Sequence, residues 1–175
     1  MEEIRIITKG AELREIGARE FMEYINPFIR EKAGILLDKE VDLKEEERWL
    51  ERNAEALDAG NVLKVVLFVG GKLSGSCEAR RGMLKARHNV SFGLSVSEEF
   101  RGRGYGERLL KRAIEEAEKR MNPHKMWIEY MEGNEAARRL YEKAGFVEAA
   151  RLTEYVDHFG EWRDHVTMEY RKKKD

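Results

Sequence analysis

Residues 96–106 read Val96-Ser97-Glu98-Glu99-Phe100-Arg101-Gly102-Arg103-Gly104-Tyr105-Gly106, an apolar strand handed to an amphipathic helix through alternating arginines and glycines. No other stretch constrains the fold as tightly. Glycine lets the backbone take positive φ and lets a ligand approach the main chain. The first turn of a helix adds unpaired N–H groups at the positive end of its dipole. Two arginines contribute fixed charge and fork-shaped donors. The loop therefore reads as a cradle for a pyrophosphate, with a plain glycine-rich turn as the alternative. Its spacing argues against two nucleotide holders. A dinucleotide fold wants G-x-G-x-x-G with an acidic residue about 20 positions on, whereas this loop is G-x-G-x-G with Glu107 directly after it. A P-loop wants G-x-x-x-x-G-K-[ST], and no such run exists in the chain.

Hydrophobic periodicity sets the elements around this loop. Residues 4–8 read as a first strand. Over residues 11–25, Leu13, Ile16, Ala18, Phe21, Met22 and Ile25 share one helical side, Asn26-Pro27 is expected to interrupt that helix, and a second helical stretch is expected to about Ala33. Asp42 is the expected N-cap of a third helix running towards Gly60. Val62–Val69 is β-branched, Gly70-Gly71 reads as a hairpin turn, and a strand returns over residues 73–79. A polar loop over 80–86 precedes a strand at Asn89–Val96, which feeds the glycine loop. Then come a helix over 104–121, a strand at Lys125–Met131, and a short helix with Ala137, Leu140, Tyr141 and Ala144 on one face, closed by Gly145. Strands over 146–155 and 163–170 finish a single domain of residues 1–170, with a basic tail at 171–175.

Composition narrows the partners. The 33 Lys and Arg against 34 Asp and Glu give a formal net charge of -1, so no global pull towards nucleic acid or membranes is expected and anion binding must be local. The acidic start Met1-Glu2-Glu3 reads as neither a signal nor a transit peptide, no apolar run reaches membrane-spanning length, and one cysteine excludes an intrachain disulfide framework. A cytoplasmic location is the expectation.

Arg101-Gly102-Arg103-Gly104-Tyr105-Gly106 resembles the R/Q-x-x-G-x-G/A motif of the GNAT superfamily of N-acetyltransferases. A second segment, Asn134-Glu135-Ala136-Ala137-Arg138-Arg139-Leu140-Tyr141-Glu142-Lys143-Ala144-Gly145-Phe146, resembles the family's N-x-x-A-x-x-L-Y-x-K-x-G-F almost position for position. The likeness is greatest to the ribosomal-protein N-terminal and small-amine acetyltransferase branches. It implies an α/β fold with a mixed, mostly antiparallel central sheet of about seven strands, flanked by helices on both faces. It also implies acetyl-CoA as co-substrate and a primary amine as acceptor (a protein N-terminus or a small amino compound), with a homodimer left open, while the balanced charge and the absence of metal-ligand spacing lead to the expectation of no nucleic-acid or membrane partner and no metal. The rival function is a non-catalytic acyl-CoA sensor or scaffold.

By the same resemblance, backbone groups of Leu94, Ser95 and Val96 would face the pantetheine and thioester. The pyrophosphate would lie on the amides of Arg103, Gly104, Tyr105 and Gly106, with Gly102 beside them and Arg101 contributing backbone or side chain. Asn134 would cap its helix and touch the cofactor. Tyr141 would be the general acid, although its helical face alone reads as core. Glu129 would take the amine proton, with Glu78 or water as alternatives and a solvated strand residue as the plain reading. Cys77 reads as a buried small residue rather than a nucleophile. His88 lines either an acceptor pocket or the core, while His158 and His165 flank the last hairpin without metal-ligand spacing.

Overall fold

The computed structural model describes residues 1–171, so of the expected basic tail only Arg171 can be placed and 172–175 lie outside the described residues. The elements run β1 (Glu2–Ile7), α1 (Gly10–Ile16), α2 (Ala18–Arg30), α3 (Leu43–Asp58), β2 (Val62–Val69), β3 (Lys72–Arg81), β4 (Asn89–Val96), α4 (Tyr105–Met121), β5 (Lys125–Met131), α5 (Glu135–Ala144), β6 (Phe146–His158) and β7 (Glu161–Tyr170). Seven strands form one sheet in the order β1-β2-β3-β4-β5-β7-β6. Every neighbouring pair is antiparallel except β4 with β5. That parallel pair is joined by the crossover helix α4, because parallel strands cannot be linked by a tight turn.

Side-chain alternation along the strands divides the core between two faces. On β2, Leu63, Val65 and Leu67 meet α4, and the same face carries Ile128 and Tyr130 of β5, Val166 and Met168 of β7, and Tyr141 of α5. Val62, Val66 and Phe68 point the other way, against Leu13, Phe21, Tyr24, Leu50 and Leu57 of the first three helices. Helices thus cover both faces, as expected, at about 1.5–3 kcal/mol for each large apolar side chain fully buried.

Local chemistry accounts for most element ends. Asp42 accepts from the Glu45 amide at 2.8 Å while Glu45 returns a bond to the Asp42 amide at 3.0 Å, a reciprocal capping box at the start of α3. The first helical region differs from expectation. The break falls at Gly17, whose φ of +85° ends α1 and starts α2, and Pro27 lies inside α2. Proline removes one bond to the Glu23 carbonyl, but α2 persists because Phe21, Tyr24 and Phe28 bury together around it. The Asn26 side chain pairs with both backbone groups of Val41, at 2.9 and 3.0 Å, and so pins the long connection to α3. Strand β3 extends two residues past its expected end, and β6 runs to His158 instead of stopping at 155. Its pairing with β7 shifts register after Glu148 and again after Leu152, bulges that periodicity alone does not reveal.

Candidate active site

The parallel pairing of β4 with β5 stops early. Asn89 to Phe92 pair with Lys125 to Ile128, after which β4 continues against β3 alone and β5 continues against β7 alone. Leu94, Ser95 and Val96 therefore have a partner strand on one side only, and their alternate N–H and C=O groups line a widening gap. The side chains of Leu94 and Val96 pack on the α4 face. The Ser95 carbonyl and hydroxyl are both engaged by the Tyr24 hydroxyl, at 3.0 and 2.7 Å.

At the open end of the gap, β4 passes through a short 3-10 turn, Glu98–Phe100, into the arginine-glycine loop. Gly104 is the N-cap of α4 with φ +81°, a left-handed conformation that side-chain-bearing residues adopt at a cost. A Cβ added at Gly102 or Gly104 would meet nothing within 4 Å, so packing does not explain either glycine. Gly106 differs, because a Cβ there would stand 2.8 Å from Leu140 Cδ1, and its small size lets α4 and α5 approach. Among the described residues, the amides of Arg103, Gly104, Tyr105 and Gly106 donate to no backbone carbonyl. Free N–H groups at and just before a helix N-terminus suit an anion by dipole and geometry together.

The side chains around these amides are not all available to a ligand. Arg101 donates from Nε to the Val96 carbonyl at 2.9 Å, ion-pairs with Glu31 at the end of α2, and lies over the Phe28 ring at 5.4 Å. Of the two contributions expected from Arg101, its side chain is already used to tie the loop to α2. Tyr105 packs edge-on against Phe100, and the Glu2 carboxylate beside it raises its phenol above the ordinary value. The Arg103 guanidinium lies over the Phe100 ring at 5.5 Å and meets no described carboxylate within ion-pair distance.

Tyr141 and Glu129 lie on opposite faces of the sheet. Tyr141 projects from α5 into the apolar layer between Tyr130 and Phe146, with ring centroids 6.2 and 6.3 Å away, and its hydroxyl donates to none of the described residues. Burial pushes its phenol well above the ordinary value, so it stays protonated at neutral pH. Glu129 alternates to the other face, where its Oε1 accepts from Thr167 Oγ1 at 3.1 Å. The two residues do not touch, but both flank the place where β4 and β5 part. Asn134 caps α5 as expected, accepting from the Ala137 amide at 3.1 Å.

Register aligns Glu78 of β3 with Gly93 of β4, one residue beyond the last β4–β5 pair, so Gly93 lies level with Glu129. Glu78 is nonetheless poorly suited to accept a proton. Burial works to raise its carboxyl, but Lys64 and Arg80 outweigh that effect and hold it below the ordinary range. Cys77 is fully buried, and burial pushes its thiol up, so it carries no nucleophilic thiolate. His88 stacks edge-on with His124 beside the first paired residues of β4 and β5, at the closed end and away from the gap.

Sequence reasoning missed the covering of the gap by the segment after α2. Glu31 holds Arg101 beyond β4, a Cβ on Gly34 would stand 3.0 Å from Asn134 Nδ2 beyond β5, and the Lys32 ammonium lies over the Phe159 ring at 5.0 Å. The chain thus crosses the carboxyl ends of both strands and reaches the β6–β7 turn. Tyr24 was missed too, since nothing in local spacing marks it apart from core neighbours.

The acetyltransferase (GNAT) family model matches residues 23–146. The L-amino acid N-acyltransferase MnaT of Escherichia coli is 32% identical over 83 residues, covering 47% of this chain and 48% of the relative. The spermidine N(1)-acetyltransferase of Vibrio cholerae is 30% identical over 80 residues, covering 46% of each. The matched segment spans about half the length of these curated relatives. Among solved structures, yncA of Salmonella typhimurium, determined with its cofactor acetyl-CoA, is 25% identical with a TM-score of 0.79, covering 100% of this chain and 96% of that one. The ribosomal-protein-alanine N-acetyltransferase of Brucella melitensis is 27% identical with a TM-score of 0.77, covering 95% and 98%.

Proposed function

The chain belongs to the GNAT acetyltransferase family, and from that premise we propose that it transfers an acetyl group from acetyl-CoA to a small primary amine by direct attack. The observation that carries this reading is the parting of β4 from β5 with Glu129 on one face and Tyr141 on the other. The free amides of residues 103–106 suit the pyrophosphate, and the half-paired backbone of Leu94 to Val96 suits the pantetheine and the thioester carbonyl. Glu129 accepts a proton from the acceptor's ammonium, the neutral amine so freed attacks, the C–N bond forms as the carbonyl becomes an oxyanion, and collapse breaks the C–S bond while the nitrogen sheds its second proton to solvent. Tyr141 then protonates the departing thiolate, its phenol being held in the protonated form by burial and regaining its proton from solvent afterwards.

The segment crossing from Glu31 to Lys32 and Gly34 favours a small acceptor over a folded protein's N-terminus, since it narrows the entrance against Phe159 and Asn134. The test is release of free thiol from acetyl-CoA over a panel of amino acids, polyamines and N-terminal peptides. Turnover with a small amine and none with peptides is the expected result. Peptide-only turnover overturns the acceptor, and no release with any amine overturns catalysis in favour of a sensor.

A further inference from the structure

Glu129 is held more firmly than a solvated strand residue requires. It pairs with Thr167 across β5 and β7, so His165, two residues earlier on β7, is its diagonal neighbour on the same face. Thr167 occupies Oε1, and His165 Nε2 stands 3.6 Å from Oε2, so the two oxygens of one carboxylate face two different partners. The His165 side chain is 10% exposed against 34% for Glu129, which sets the imidazole behind the carboxylate rather than in front of it.

A third residue fixes the imidazole. Tyr155 stacks on it with ring centroids 5.4 Å apart and planes 12° from parallel. Tyr155 reaches that position because β6 is bulged there, its pairing with β7 jumping from Leu152 opposite His165 to Val156 opposite Arg163. Glu154 inside the bulge has φ +51°, a strained value for a residue with a side chain. Asp164 locks the bulge, accepting the Glu154 amide at 3.0 Å on one oxygen and Arg151 at 3.1 Å on the other. Bulges beside active sites re-aim single side chains, and this one aims Tyr155 at His165.

We infer that His165 is a positioning residue for Glu129, fixing the direction of its carboxylate while Tyr155 holds the imidazole flat. This rests on the reading of Glu129 as the base. Imidazole Nε2 is matched by the amide nitrogen of glutamine, whereas leucine keeps bulk against Tyr155 and offers no polar atom.

Steady-state kinetics of His165→Leu, His165→Gln, Glu129→Gln and the Glu129→Gln/His165→Leu double variant test the inference on the intact chain. His165→Leu should lose about tenfold in kcat with the acetyl-CoA KM unchanged, and His165→Gln should stay within about twofold of wild type. In the Glu129→Gln background, His165→Leu should cost nothing further, because a residue acting through another loses its effect when that residue is gone. Equal loss in the leucine and glutamine variants, or an undiminished loss in the Glu129→Gln background, overturns the role of His165. Wild-type kinetics for Glu129→Gln overturn the base assignment itself, a separate outcome. If His165→Leu does not fold, Tyr155→Leu carries the same cycle, with a loss expected that disappears in the Glu129→Gln background and overturned by one that persists.

Discussion

Replacing Glu46 with glutamine should stabilise the protein above neutral pH and leave it nearly unchanged in mild acid. Glu46 lies in the first turn of α3, 6% exposed, and burial raises its carboxyl from 4.5 to about 7 against the opposing pull of Lys64. Lys64 cannot restore the ordinary value because its ammonium is already paired with Glu78 and lies 4.8 Å over the Trp49 ring. With the folded value above the unfolded one, the native state holds more protons between these limits. Stability therefore falls as pH rises from 4.5 to about 7 and is flat beyond. At about 1.4 kcal/mol for each tenfold change, the displacement sets a ceiling of about 3 kcal/mol. A charged glutamate in the first helical turn recovers about 0.3–1 kcal/mol from the helix dipole, which glutamine forgoes, so the net gain should be about 2 kcal/mol. Urea unfolding of both proteins at about pH 4 and about pH 8 isolates this effect, because titrating groups that do not sense Glu46 cancel in the difference. Equal stability at the higher pH, or a glutamine variant less stable at both, would refute the reasoning.

Tyr141→Phe removes one buried hydroxyl from an otherwise apolar setting, so turnover should drop by about 10–100-fold while calorimetric affinity for acetyl-CoA stays near wild type. Unchanged turnover takes Tyr141 out of the mechanism. Gly104→Val forces a β-branched residue to φ +81° and sends its side chain into the open space over the free amides. Acetyl-CoA binding should be abolished in a titration, and normal binding would remove the cradle assignment.

Much of the fold was readable because local chemistry and tertiary structure agree. Asp42 and Glu45 cap α3 as their side chains dictate, Gly70-Gly71 turns the hairpin, and Gly145 closes α5. Where they disagree, packing wins. Pro27 is a poor helix residue, yet α2 runs through it because Phe21, Tyr24 and Phe28 need that helix to reach the sheet. The candidate site was readable wherever main chain carries it, as in residues 101–106 and the N-cap Asn134. Side-chain partners were not, because they depend on pairings between distant strands. Nothing in the sequence joins Glu31 to Arg101 across 70 residues. Nor does it show that Glu78 would be neutralised by Lys64 and Arg80, or that a bulge in β6 would bring Tyr155 to His165.

The early end of the β4–β5 pairing also has a mechanical meaning. Strands β1 to β4 form one plate and β5 to β7 another, and in the plane of the sheet, among the described residues, only the rungs from Asn89/Lys125 to Phe92/Ile128 join them. A seam that short would be the place for the sheet to bend, with α4 as its brace across one face. A molecule lodged in the notch and bonded to both edges would work as a key, stiffening the hinge and coupling the two plates. Its departure would let the plates flex about the seam, so the notch proposed to hold the co-substrate would also set how rigid the whole sheet can be.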